Sequence, residues 1–73
     1  MKKIIVRTRE IRLNKGLTCQ QVADRCGISK AAVNRIENGT RDPGINTLFA
    51  ISQALDVEFE EVYKIIDVEE PQE

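Results

Sequence analysis

Residues 18–40 constrain this chain more than any other stretch, because their pattern is that of two short helices joined by a tight turn. Helices that cross closely need a small residue where their backbones meet, and Ala23 suits that position. The turn needs a residue that tolerates a left-handed conformation, and Gly27 supplies it. Thr18 and Gln21 are spaced as a capping box, in which each side chain bonds a backbone N–H group at the start of a helix. The segment therefore predicts a helix-turn-helix.

The second of these helices, which Ser29 can cap, has an apolar side and a polar side. The apolar positions that face each other across the turn are Val22, Cys26, Ile28, Val33 and Ile36. The residues left facing outward are Lys30, Ala31, Asn34 and Arg35. Side chains of these types can bond or contact base edges in the major groove of DNA. A simple amphipathic hairpin could reproduce the apolar pattern, but would not be expected to carry the small residue, the glycine and both caps in register. A solvated face is the alternative for the four outward residues. The segment therefore indicates DNA binding.

Positive charge is concentrated in the half of the chain that contains the helix-turn-helix. The whole chain is nearly balanced, with 11 basic and 12 acidic residues. Residues 1–41 hold ten basic and three acidic residues, a net charge of +7, whereas residues 42–73 hold one basic and nine acidic residues, a net charge of −8. Binding to a polyanion depends on where positive charge is gathered. We expect the acidic half to point away from phosphate.

Helical spacing and turn residues predict three further helices. A first helix covers residues 8–15, with Ile11 inward and Gly16 just past its end. Turn residues at 41–44 precede a helix over residues 45–55. That helix is expected to bury Ile45, Leu48, Ile51 and Leu55. A short fifth helix is predicted over residues 59–63.

The two ends of the chain leave two structures open. Residues 3–6 and 65–68 are short β-branched runs, which either pair as a small two-stranded sheet or extend the neighbouring helices. Both structures leave apolar surface near the termini, and this favours self-association. Residues 69–73 are polar, acidic and contain a proline, so we expect a disordered tail there. The predicted DNA-binding domain is then residues 1–68, with the helix-turn-helix at 18–38.

Length and composition limit the other classes of function. Seventy-three residues make one small domain, and no apolar run approaches a membrane span, so we expect a soluble cytoplasmic protein without membrane contact. The chain has no histidine, and its two cysteines lie about two helical turns apart, which predicts neither a disulfide nor a metal site. No phosphate-cradling glycine loop or paired-carboxylate pocket is visible, so neither an enzyme nor a cofactor is expected.

The stretch from Ile11 to Tyr63 closely resembles the Cro/repressor-type helix-turn-helix family, also called the XRE family. The residues that carry the resemblance are Arg12, Lys15-Gly16-Leu17-Thr18, Val22-Ala23, Gly27-Ile28-Ser29, Val33, Arg35-Ile36-Glu37-Asn38-Gly39, Arg41, Pro43, Thr47-Leu48, Ile51, Ala54-Leu55 and Val57. The resemblance implies an all-α fold, a compact five-helix lambda-repressor-like bundle. Such proteins are usually homodimers that read a palindromic operator of double-stranded DNA in successive major grooves, with half-site centres about 10 bp apart or a multiple of it.

Individual residues can be given roles on this basis. Arg35 can donate two hydrogen bonds to guanine, and Lys30 can bond a guanine or a phosphate. Asn34 has the amide needed to read adenine, and Ala31 can contact a thymine methyl group. The residues expected to contact DNA phosphates are Cys19, Gln20, Asn38, Gly39, Thr40 and Arg41. The resemblance implies an inward-facing ion pair between Arg12 and Glu37 that ties the first helix to the third.

Three positions depart from the family's pattern. Cys19 stands where a glutamine usually bonds a phosphate, so the backbone N–H groups of that helix end are left to hold it. Thr8 stands where a core aliphatic residue is usual, and Gly44 stands where a serine commonly caps the fourth helix. The Cys19 thiol is either a tolerated surface group or an oxidation-sensitive switch of DNA binding.

Two functions from different classes fit these features. The leading one is a homodimeric transcription regulator, a repressor that acts by occupying a promoter. The alternative is a protein-interaction module such as an antitoxin, whose apolar ends and acidic tail bind a partner protein while DNA binding serves autoregulation.

Overall fold

The computed structural model describes residues 1–69, which form a helical bundle with a small sheet at the chain ends. In chain order the elements are β1 (Lys2–Val6), α1 (Thr8–Asn14), α2 (Cys19–Cys26), α3 (Lys30–Glu37), α4 (Ile45–Ala54), a 3-10 helix (Phe59–Val62) and β2 (Tyr63–Asp67). No helix within the described residues has both the length and the apolar character needed to cross a membrane. The predicted acidic tail lies outside the described residues except for Glu69.

The fold differs from the predicted all-α bundle of five helices in two places. The fifth predicted helix is a single 3-10 turn, because β2 already begins at Tyr63 and leaves no room for a longer helix. Glu58 and Glu61 close this turn as a capping box, with the Glu58 N–H donating to Glu61 Oε2 at 2.8 Å. The second difference is that the class is helical with a two-stranded sheet: of the two structures left open for the chain ends, the paired strands are the one that forms.

The strands pair in an antiparallel manner, with Ile4 opposite Ile65 and Val6 opposite Tyr63. These four side chains share one face of the sheet, because alternate residues of a strand point to the same side. Val6 and Tyr63 pack against the core. Ile4 and Ile65 lie further along this two-stranded sheet, which we call the β-ribbon, and are 61% and 56% exposed. The chain ends therefore present an apolar face that the described residues do not cover.

The core lies between α2, α3, α4 and the 3-10 helix. Its buried members are Val22, Ala23, Val33, Ile36, Leu48, Ile51, Ala54, Leu55 and Val62. Ala23, the small residue predicted at the helix crossing, is fully buried. The prediction that Ile45 is buried is wrong, since this side chain is 73% exposed. It is the first residue of α4, and the elements that cover Leu48 one turn later do not reach it.

Thr8 begins α1 and faces the core. Its side chain is 2% exposed, and its hydroxyl has no hydrogen-bond partner among residues 1–69. The space beside it is lined by the apolar side chains of Val22, Val33, Ile51 and Leu55 and by the charged side chains of Arg12 and Glu37. The space between them has no room for a water molecule. Thr8 therefore occupies the position of an aliphatic residue while carrying a buried polar group.

Candidate nucleic-acid interface

One side of α3 is exposed and the other is buried. Ala32, Val33 and Ile36 are buried in the bundle. The four residues predicted to read bases, which we call the α3 face, are all exposed: Lys30, Ala31, Asn34 and Arg35. Their spacing along a helix of 3.6 residues per turn places them on the same side. The structure therefore brings the predicted reading residues together on one outward surface.

Local hydrogen bonds set the position of α3 relative to α2. Thr18 Oγ1 accepts from the Gln21 N–H group at 3.1 Å, and Gln21 Oε1 accepts from the Thr18 N–H group at 2.8 Å. Gly27 ends α2 with φ of 72°, a left-handed conformation that glycine adopts without a steric penalty. Ser29 Oγ then accepts from the Ala32 N–H group at 3.0 Å and starts α3. The capping box, turn glycine and second cap that the sequence predicts are all confirmed.

Positive charge near the α3 face is not neutralised by acidic side chains. Lys30, Arg35 and Arg41 are exposed, and the ion pairs found within residues 1–69 join other side chains. Unpaired surface cations of this kind can displace counterions from DNA phosphates, which is the sequence-independent part of binding.

Arg12 and Glu37 form a partly buried ion pair behind the α3 face. Arg12 Nε donates to Glu37 Oε2 at 2.7 Å, and Arg12 Nη2 donates to Glu37 Oε1 at 3.1 Å. Arg12 Nη1 also donates to the Leu17 carbonyl at 2.9 Å. The hydrogen bonds with Glu37 raise the pKa of Arg12 above its usual value, against the opposing effect of burial. This pair joins α1 and the loop before α2 to the last residue of α3.

Cys19, the first residue of α2, contacts the α3 face through its side chain. Its Sγ lies 3.1 Å from Asn34 Oδ1 and 3.8 Å from Glu37 Oε1. Sequence reasoning assigned Cys19 to phosphate contact and missed this interhelical contact. The available signal was the unusual residue at the start of α2, but nothing in a single sequence shows which α3 side chain lies across from it.

The start of α2 offers backbone donors to an anion. Among the hydrogen bonds of residues 1–69, none uses the N–H groups of Cys19 and Gln20, whereas those of Gln21 and Val22 donate to Thr18. Free N–H groups at a helix N-terminus attract phosphate. The Gln20 side chain itself donates from Nε2 to the carboxylate of Asp24 at 2.8 Å.

The residues after α3 offer side chains rather than backbone donors. The N–H groups of residues 38–41 all donate to carbonyl groups of α3, at 2.9 to 3.2 Å. Gly39 has no side chain and its N–H group is used, so it offers no donor to a phosphate. The Thr40 hydroxyl also donates to α3, at 3.3 Å. Exposed side-chain donors remain at Asn38 and Arg41.

These features define a class of protein. The DNA-binding unit of a helix-turn-helix protein consists of two helices, the second of which is the recognition helix. Here two capped helices meet at a left-handed glycine, and the second presents an exposed basic face. The chain belongs to the Helix-turn-helix family, whose sequence pattern matches residues 9–62. The family resemblance noted in the sequence is thus confirmed.

Known proteins similar to this chain include transcriptional regulators. The chain is 39% identical over 56 residues to the uncharacterized HTH-type transcriptional regulator YqaE of Bacillus subtilis strain 168, a match that covers 77% of this chain and 48% of the regulator. The chain thus spans about half the length of that relative.

Solved structures also share this fold. The restriction-modification controller protein C.AhdI from Aeromonas hydrophila is 33% identical with a TM-score of 0.73, and the match covers 75% of this chain and 83% of that one. SinR, a master regulator for biofilm formation solved in complex with DNA, is 29% identical with a TM-score of 0.68, covering 74% of this chain and 87% of SinR.

Proposed function

We propose that this protein is a homodimeric transcription repressor that reads a palindromic operator of double-stranded DNA through the α3 face. The observation that carries the proposal is this face itself: it is exposed and basic, and it lies on a helix whose opposite side is fixed in the core. Membership of the Helix-turn-helix family supports DNA as the ligand. The similarity to SinR, which was solved in complex with DNA, supports the same conclusion.

Within the α3 face, each side chain has a distinct task. Arg35 has the forked guanidinium that bonds guanine in two places, the commonest specific contact in the major groove. Lys30 bonds a guanine or a phosphate, and Ala31 contacts a thymine methyl group. Asn34 reads a base edge with its carboxamide.

Phosphate contacts flank the α3 face on both sides. On one side, the free N–H groups of Cys19 and Gln20 form an anion-binding helix end. On the other side, the exposed side chains of Asn38 and Arg41 follow α3. Contacts of this kind position a protein on DNA without reading its sequence.

The β-ribbon supplies a surface for a second copy of the chain. A two-fold dimer brings the same patch of each copy together, so the patch must be self-complementary. Ile4 and Ile65 provide an exposed apolar centre, and Lys2 lies opposite Asp67 on the same face of the sheet. In a two-fold arrangement the Lys2 of one copy can meet the Asp67 of the other while the isoleucines pack together.

Substitution of two arginines tests the DNA proposal. DNA selected from random sequence by the wild-type protein gives the operator, and affinities are then measured on its variants at two salt concentrations. Arg35→Ala is expected to lose discrimination at one G·C pair by about 1–3 kcal/mol. Arg41→Ala is expected to weaken binding to all sequences and to reduce the salt slope by about 1.

A control variant makes this experiment specific. Arg9 is an exposed arginine of α1 outside the proposed interface, so Arg9→Ala removes the same charge without removing a proposed contact. Equal losses for all three variants on every sequence would contradict the assignment of Arg35 to base reading.

Oligomeric state tests the proposed dimer. Ile65→Lys places a charge in the apolar centre of the ribbon face, so we expect a monomer in sedimentation equilibrium and weaker binding to a two-half-site operator. Ile45→Lys is the matched control, because Ile45 is also exposed but lies on α4 outside the sheet. A wild-type protein that stays monomeric at micromolar concentration, or an Ile65→Lys variant that stays dimeric, would show that the ribbon does not dimerise the chain.

A further inference from the structure

The Cys19 thiol contacts a carboxamide that the proposed function places among the base-reading groups. Cys19 Sγ lies 3.1 Å from Asn34 Oδ1, and the two residues are 15 positions apart on different helices. The last torsion of a free asparagine side chain is broad and has no single preferred value. A hydrogen bond from α2 therefore decides which way this amide is turned.

The chemistry of the thiol selects the oxygen of the amide as its partner. A thiol has one hydrogen to donate, and its sulfur is a weak acceptor. Glu37 Oε1 is the other acceptor nearby, but it lies 3.8 Å from the sulfur and already accepts from Arg12 Nη2 at 3.1 Å. The hydrogen therefore goes to Asn34 Oδ1. The amide oxygen is turned toward α2, and the amide NH2 group is left for a ligand.

We infer that Cys19 is a specificity-determining residue that acts by positioning Asn34, an inference that rests on the proposed DNA-binding function. An asparagine reads adenine by donating to N7 and accepting from the N6 amino group with its oxygen. Because the thiol holds the amide oxygen toward α2, the NH2 group is the part of the Asn34 amide left to face a base. A major-groove edge that carries two acceptors, O6 and N7, is that of guanine. The contact therefore changes the expected preference at the Asn34 position from adenine to guanine.

Base preference at one operator position tests this inference. Asn34→Ala on the selected operator identifies the base pair that Asn34 reads. There the wild-type protein is expected to prefer guanine to adenine, and Cys19→Ala is expected to reduce that preference about fivefold, the effect of one hydrogen bond. Cys19→Ser retains a donor and is expected to keep part of the preference. In the Asn34→Ala background, Cys19→Ala is expected to have no further effect on base preference.

Two further variants separate positioning from stability. Cys19→Val removes the donor while keeping bulk near Glu37, so it provides a second donor-free protein if Cys19→Ala melts at a lower temperature. Cys26→Ala removes the other thiol of α2, which makes no hydrogen bond to α3 among the described residues. It is expected to leave the base preference unchanged.

Several results would overturn the inference. It fails if the donor-free variants lose affinity equally for guanine and adenine operators, because that pattern belongs to a packing or phosphate-anchoring role. It also fails if the wild-type protein prefers adenine at that position, or if Asn34→Ala changes no preference. Selection that yields no motif with the wild-type protein would instead refute the proposed function, so the two failures are distinguishable.

Discussion

The buried hydroxyl of Thr8 leads to a specific prediction about stability. Thr8→Val exchanges the hydroxyl for a methyl group of similar size and keeps the β-branched shape. The hydroxyl has no hydrogen-bond partner within residues 1–69. Arg12 and Glu37 line the same space as the aliphatic side chains, but they bond each other and not Thr8. An unsatisfied buried polar group costs about 1–3 kcal/mol, and the added methyl group also buries apolar surface. We therefore expect Thr8→Val to raise the free energy of unfolding by about 1–2 kcal/mol.

Urea denaturation at fixed protein concentration measures this difference, and thermal melting provides a second measurement. In a domain of this size each kcal/mol shifts Tm by about 4–8 °C. The protein concentration has to be equal for all variants, because dimerisation adds to apparent stability. Thr8→Ser is the matched control: it keeps the hydroxyl and loses the methyl group, so it is expected to be less stable than the wild type. If Thr8→Val were less stable than the wild type, the hydroxyl must bond to a partner in solution and the reasoning would be refuted.

Three further predictions concern other structural features. Glu37→Gln leaves the partly buried Arg12 guanidinium without its counter-charge, and urea denaturation is expected to show a loss of about 1.5–3 kcal/mol, the range for hydrogen bonds to charged groups. An unchanged midpoint would show that the ion pair adds nothing. Gly27→Ala forces an alanine to adopt φ of 72°, and its Cβ would meet nothing within 4 Å, so backbone strain alone should lower the free energy of unfolding by about 1–2 kcal/mol. Gly44→Ser is the control: it adds a helix cap at an ordinary φ and should not destabilise the protein. Burial raises the pKa of the Cys26 thiol above its ordinary value. Between the ordinary and the raised pKa, the folded protein keeps a proton that the unfolded chain releases, so stability should fall as pH rises through this range. Unfolding midpoints across this pH range should fall less in Cys26→Ala, and an identical pH dependence would contradict the shift.

The helix-turn-helix was predictable because local rules determine it. The capping box of Thr18 and Gln21 and the left-handed turn at Gly27 each depend on residues that are neighbours in sequence. The four outward positions of α3 follow from helical periodicity once the ends of that helix are known. Residues of the α3 face could therefore be named without any knowledge of tertiary contacts.

Features that depend on distant parts of the chain were not predictable in the same way. The strands at the ends have apolar runs that fit either a helix or a strand, and their pairing across the whole chain decides the outcome. Ile45 has the spacing of a core residue, but it is exposed because burial at a helix end depends on where neighbouring elements stop. The contact between Cys19 and Asn34 likewise depends on how α2 and α3 cross.

The pairing of β1 with β2 also has a consequence for the order of folding. These strands come from opposite ends of the described chain. The Val68 N–H group, just beyond β2, also donates to the Met1 carbonyl at 2.7 Å. Contacts so far apart in sequence carry a large loop-closure cost and form slowly, whereas contacts between successive helices are local. The helices can therefore assemble before β2 pairs with β1, and the sheet forms last. Because the proposed dimer face is on this sheet, we expect a chain to dimerise on DNA only after β2 has paired with β1.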